Sequence, residues 1–433
     1  MKNVIVFFLT GMLVLLIGHS AYAQFEVSAE IRPRGEFRRG YKMLLADSLK
    51  DRPVYIVTQR TRLNFQYTKT KIQARISIQD VRIWGDEELY SSTGIFGDDA
   101  SLDVHEAWLK IKMFNNAHVT IGRQEWTYDD QRLLAGRNWN QHALAYDAVL
   151  MNITPGLWQI DVGLSWNNER ASLFNERYNP MKIRTLNFLY LRKEFSPVWS
   201  ASVIALANGY QKENSPDVIY LRGTYGGNVW MEMKKFSIHG SGYYQNGKNK
   251  TGKRVSAYAL FASASYKADF ITLGMGADYI SGNDQTGNGD ESKDHVFDIL
   301  YGARHKFYGF MDYFSNIPAS TDGAGLFNGY LSLEKAVARQ HKIGIFYRYF
   351  ALQNDISVLD VDGDHVVPDR YLATELDLIY TYALNEELSV NAGYSFLVPG
   401  RTMEIIHDLS QGDGITGHWS WIMITFKPLL FGN

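Results

Sequence analysis

The chain has 433 residues, no cysteine, and 44 basic against 46 acidic residues, a formal net charge of −2 at pH 7. That balance argues against a general nucleic-acid binder, and the missing cysteine fits an exported protein that does not rely on disulfides. Aromatics make up 14% of the chain and 37 glycines stand against 10 prolines, a composition suited to long paired strands separated by turns.

The N-terminus carries Lys2, an apolar run over residues 4–18, and the small-x-small tripeptide Ala21-Tyr22-Ala23. This is a secretory-signal pattern, so residues 1–23 are expected to be cleaved and residues 24–433 to form one domain. The run is short for a spanning helix of about 20 residues, and no apolar run of about 18 follows it. No cysteine follows it either, so a lipid anchor is not indicated.

Beyond residue 24 one pattern repeats: about ten residues of alternating polarity, then a turn or loop. "FEVSAEIRPRGEF" puts Arg32 and Arg34 on one face with Glu26, Glu30 and Glu36. "RTRLNFQYT" sets Arg60, Arg62, Asn64 and Gln66 against Leu63, Phe65 and Tyr67, and "KIQARISIQ" sets Lys71, Gln73 and Arg75 against Ile72, Ala74 and Ile76. "HEAWLKIKM" adds Lys110 and Lys112 on the face of Glu106. "WQIDVGLSW" and "LSVNAGYSF" alternate in the same way, and their apolar faces end in aromatics (Trp158 and Trp166, Tyr394 and Phe396). The final "HWSWIMITFKPLLF" reads as a closing strand whose register Pro428 leaves open.

Short connections such as Asn115-Asn116, Ser196-Pro197 and Asn385-Glu386 alternate with long polar ones, residues 281–295 and 354–370 being the clearest. Aromatic-bracketed apolar faces, with short turns on one rim and long loops on the other, are the plan of an outer-membrane barrel. The fold class expected is therefore all-β: a single transmembrane antiparallel barrel of roughly 16–18 strands, 18 favoured, enclosing a water-filled channel. Apolar faces toward lipid leave polar faces toward the lumen. A ladder of Arg32, Arg34, Arg60, Arg62, Lys71, Arg75, Lys110 and Lys112 would then concentrate anions there. The bland reading is that these cations satisfy neighbouring acids, as lumen charges commonly do.

One segment stands apart. "GRQEWTYDDQRLLAGRNW", residues 122–139, holds Arg123, Arg132 and Arg137 against Glu125, Asp129 and Asp130, and is long enough to fold inward. Extended to residues 121–149, ending in "YDAV", it resembles a block of the alginate-export family of outer-membrane barrels. "FDILYGARHKFYGFMDYF", residues 297–314, looks like a second block of that family. The resemblance implies an outer-membrane channel passing an anionic polysaccharide through an arginine-rich constriction. It implies Arg123, Arg132 and Arg137 as pathway residues of the first block, closed by Asp147, and Arg304, His305 and Asp312 of the second. The expected partners are membrane lipid and an anionic or neutral saccharide, with no nucleic acid and no cofactor. The alternative is a general small-nutrient porin in which paired arginines merely shape the eyelet.

Four other chemistries have partial signatures in the chain. "IHGSG" places His239 and Ser241 two apart on one strand, the spacing of a barrel phospholipase, but no amide partner for the histidine is apparent. "DVDGDH" sets Asp360, Asp362 and Asp364 at alternate positions like a calcium loop, without the later glutamate; an Asp-Gly hairpin explains it as well. The histidines His105, His142, His305 and His341 lack metal-ligand spacing, and the Gly-rich residues 223–228 open no helix, against a nucleotide site.

Overall fold

A computed structural model describes residues 23–50, 52–85, 102–287, 289–290, 292–359, 365–410 and 412–432. Eighteen antiparallel strands close into a barrel. Closure is made by the first strand, Gln24–Arg39, which pairs on one side with Val54–Lys69 (Arg32 opposite Arg60) and on the other with Gly417–Phe426 (Arg34 opposite Met423). Pro428 has no N–H to give the ladder and ends that last strand. Its carbonyl still accepts from the Ala29 amide at 3.1 Å, and Leu429–Phe431 resumes the pairing with Val27 opposite Phe431. The register left open in the sequence is thus settled by a bulge.

The two faces of each strand are as unlike as the alternation suggests. On Val54–Lys69, Arg60 and Arg62 are buried while Leu63 is exposed. The outward faces carry two aromatic girdles. Trp158 and Trp166, Phe236 and Tyr244, and Tyr258 and Tyr266 each stand eight residues apart on their strands, and all but Tyr266 are among the large exposed apolar side chains. Eight steps of about 3.3 Å give about 26 Å along a strand, which tilt reduces to about 20 Å of height, near the thickness of an outer-membrane apolar band.

Connections on the rim holding the chain termini are tight, as at residues 70–71, 115–116 and 339–340. The other rim carries the excursions 125–145, 167–184, 281–325 and 400–416. One tight hairpin, Glu213-Asn214, also lies there, at the end of two extended strands, Trp199–Lys212 and Ser215–Glu232. The largest fully buried side chains include Trp126, Leu134, Phe297, Ile299, Met311 and Phe314, all from excursions 125–145 and 281–325. Much of the core therefore lies inside the barrel, made by loops packed into the lumen.

Candidate functional site

The first inward loop follows the strand Ala117–Gln124, within which Gly122 has a φ of +120°. A Cβ there would lie 2.2 Å from the Ala107 carbonyl oxygen, so only glycine permits this close approach. Asp129, Gln131, Arg137 and Ala143 also have positive φ, which L-residues adopt at a cost of about 1 kcal/mol each. Tertiary bonds hold them. Trp126, fully buried, stacks on Tyr146 with centroids 4.8 Å apart. The Asp129 carboxylate accepts from Tyr190 and Ser202 at 2.7 Å and from Asn228 at 2.9 Å; burial comes first among its influences and leaves its pKa raised.

Arg132 donates to both oxygens of Asp278 at 2.7 and 2.9 Å, with its guanidinium between the rings of Phe307 (3.6 Å) and Phe261 (4.2 Å). Burial works against its charge, but Asp278 above all holds its pKa above the ordinary arginine value. Asp278 stands on the strand Ile271–Ile280, so this ion pair pins the loop to the barrel wall.

The opposite wall holds the loop by a different chemistry. Arg32 donates to the Asn138 carbonyl at 2.6 Å, the Asn140 carbonyl at 3.1 Å and Gln141 Oε1 at 2.8 Å; Arg34 donates to the Trp139 carbonyl at 3.1 Å. Arg60, 1% exposed, spends its guanidinium on Glu30 and on the carbonyls of Asn140 and Gln141. Arg62 donates to Gln79 at 3.0 Å. These four side chains point inward as expected, yet they are buried beneath the loop. Loop carbonyls, Glu30 and Glu36 take up the donors of Arg32, Arg34 and Arg60, whereas Arg62 Nη2 is buried without a hydrogen-bond partner.

The second inward loop, residues 281–325, docks on the first. Leu134 and Tyr301 form a parallel bridge, and the Tyr301 and Ala303 amides donate to the carbonyls of Leu133 and Gln131 at 3.0 and 2.9 Å. A Cβ on Gly302 would meet the Arg132 carbonyl oxygen at 2.1 Å, so glycine lets the two backbones touch. Asp312 is enclosed by Tyr41 Oη at 2.6 Å, His305 Nδ1 at 3.0 Å and Lys42 Nζ at 3.9 Å. Burial pushes its pKa up, but His305, Tyr41 and Lys42 outweigh that and leave it lowered.

Where the loops meet, Arg137 donates to the carbonyls of Leu300, Tyr301 and Gly302 at 3.0–3.2 Å. Arg304 donates to the same Leu300 carbonyl at 3.1 Å and to Ser315 at 2.6 Å, and its Nε is buried without a partner. Among the described residues no carboxylate lies within ion-pair distance of either guanidinium. Burial first, and then Arg304, lowers the Arg137 pKa to about 10; burial also lowers that of Arg304. Both arginines line two cavities. One, of about 800 Å³, is walled by the loop residues Asn167, Tyr178 and Lys250 and by Tyr210 of the strand Trp199–Lys212, among others. The other, of about 550 Å³, lies deeper, against the strand residues Phe346, Ile379 and Trp421.

The remaining expected residues separate. Arg75 pairs with Glu106 at 2.8 Å. Lys71, Lys110 and Lys112, with Lys69 and His118, line a pocket of about 280 Å³ at the short-turn mouth. Arg123 shares the outward parity of Ile121 and pairs with Asp147 at 2.8 and 2.9 Å across the strands. The sequence reading did not single out Asp278, or the lumen-facing Trp419 and Trp421; Trp419 and Trp421 stand on the inward parity of their strand, with Met423.

His239 has the amide partner that the sequence did not reveal: Nε2 lies 2.9 Å from Oδ1 of Asn228, which stands opposite Ser241. Ser241 Oγ, however, is buried without a hydrogen-bond partner, so serine and histidine are not joined as a nucleophile and base must be. Asp360, Asp362 and Asp364 lie outside the described residues. Among the described residues no cluster of three or more metal-ligating acids or histidines occurs.

A closed, girdled barrel narrowed by inward loops defines an outer-membrane channel, and the protein resides in the outer membrane. The chain belongs to the alginate export family, whose description matches residues 23–409. No curated protein matches it. Among solved structures it is similar to Pseudomonas aeruginosa OpdL (TM-score 0.60, 11% identity, 94% of this chain and 99% of that one). Acinetobacter baumannii OccAB4 is similar too (0.59, 13%, 94% and 98%), as is Pseudomonas aeruginosa OpdK, determined with vanillate (0.57, 9%, 93% and 98%). At these identities the likeness establishes the fold alone.

Proposed function

We propose that this channel passes anions by passive diffusion, anionic sugars or saccharide chains among them, and that Arg137 and Arg304 form its selective constriction. One observation carries the reading: two partly buried guanidiniums converge on a single carbonyl with no carboxylate in ion-pair contact among the described residues, Asp298 acting on both only from farther away. Burial disfavours the charge on both, Arg304 adds to that at Arg137, and an entering anion relieves the cost. The lysines at the short-turn mouth support the same sign of solute at the far end of the lumen. The backbone acceptors do not shield the pair, because carbonyl dipoles hold a guanidinium without cancelling its charge. Selectivity then comes from weak, successive cationic stations that allow an anion to leave as readily as it enters.

Liposome swelling with sugars of one size and different charge tests this. Glucuronate is expected to enter faster than glucose, and glucosamine slowest. Equal rates for glucuronate and glucosamine would instead favour the general-porin reading, in which the paired wall arginines only shape the eyelet.

A further inference from the structure

The deeper cavity has a feature that charge selection alone does not need. A barrel lumen is ordinarily polar. Here Phe310, Phe346, Ile379 and Trp421 line a cavity of about 550 Å³, facing Lys42, Arg137, Arg304 and Lys306. Phe346, Ile379 and Trp421 come from three different strands and share the inward parity, with Phe346 opposite Asp377 and Asn391 opposite Met423 in the same ladders. Phe310 comes from the second inward loop and packs on Phe346 with centroids 5.4 Å apart. Trp139 and His305, stacked at 4.1 Å, extend the aromatic wall toward Trp421, 4.9 Å from Trp139. Among the described residues the one acid lining this cavity is Asp312, and Tyr41, His305 and Lys42 already enclose it.

Apolar surface kept in contact with lumen water is unfavourable unless something covers it. A hydrated inorganic ion cannot cover it, and a fully hydroxylated sugar acid covers it poorly. The geometry points to a compact carboxylate with an apolar or aromatic body as the preferred solute: its carboxylate meets Arg137, Arg304 or Lys306, and its body lies against Phe310, Phe346, Ile379 and Trp421. This inference rests on the proposed anion pathway and narrows its substrate class. The cavity's size suits one such molecule with some water, since ligand sites of about 300–1,000 Å³ take single small molecules.

Block of small-ion current in planar bilayers tests it, using benzoate, cyclohexanecarboxylate, glucuronate and benzyl alcohol as probes. Benzoate and cyclohexanecarboxylate are expected to half-block at concentrations at least tenfold below glucuronate, a difference of about 1.4 kcal/mol. Benzyl alcohol, uncharged, is expected to block weakly. Phe346→Ser and Phe310→Ser should each raise the benzoate half-block severalfold while the chloride-over-potassium preference stays unchanged. Heat-modifiability on gels establishes that both variants are folded barrels, and Phe310 sits on a loop, outside the barrel strands. Equal block by benzoate and glucuronate in an anion-selective channel would overturn this inference and leave the anion pathway standing. Loss of anion selectivity in the wild type would overturn both.

Discussion

Two groups of arginines, both inside the barrel, do opposite things. Arg32, Arg34 and Arg60 project from adjacent strands, and their guanidiniums are covered by the carbonyls of residues 138–141 and by Glu30 and Glu36. Arg137 and Arg304 come from loops, meet only backbone carbonyls, and face open cavities on both sides. The first group uses positive charge to fasten the inward loop; the second, on the proposed reading, leaves it available to solute. A lumen arginine is therefore read by its partner more than by its strand face.

The strongest way to break this comparison is to remove a fastening arginine. Arg60→Ala removes the closest cation from buried Glu30, leaving Lys427 at 3.4 Å and Arg32 at 3.9 Å, takes the guanidinium from the Gln141 carbonyl, and is expected to cost about 3 kcal/mol. Urea unfolding of the refolded barrel measures it, with larger, noisier single-channel currents as the loop loosens. If Arg60→Ala changed selectivity alone, at full stability, the division between the two groups would fail. Next in size is the double substitution Arg137→Gln with Arg304→Gln, which keeps amide donors for the Leu300 carbonyl. Anion preference is expected to fall roughly tenfold with stability little changed.

Titration sharpens the comparison further. Arg137, its pKa lowered to about 10 by burial and then by Arg304, is charged at neutral pH. Because that value is depressed for a cation, the charged form costs stability at neutral pH, and the cost is relieved as pH rises through about 10. Anion preference should hold through neutral pH and decline over the same interval, without loss of the folded barrel. Reversal potentials recorded as a function of pH check this. The smallest effect belongs to Arg123→Gln. Its pair with Asp147 is substantially exposed and outward-facing, so the expected cost is at most about 1 kcal/mol and selectivity should not change.

Much of this was legible in the residues. Period-two alternation announces the strands, the aromatic bracketing announces the girdles, and residues 122–139 announce themselves as a loop that folds inward. The outward face of Arg123 was legible too, since Ile121 stands two positions earlier on the same parity; the motif resemblance pointed the other way. What sequence could not supply are partnerships across long separations. Arg132 and Asp278, or Arg32 and Asn138, become neighbours only once the barrel closes and the loop crosses it. Trp419 and Trp421 were equally hidden: aromatics suit either side of a strand, and only closure decides which face meets the lumen.

The central claim is that uncompensated charge on Arg137 and Arg304 makes this an anion channel. The zero-current potential of the wild-type channel under a potassium chloride gradient tests it most directly. A potential toward the chloride equilibrium value, moving toward zero in the Arg137→Gln, Arg304→Gln variant, is the predicted result. A wild-type potential on the potassium side would contradict the account.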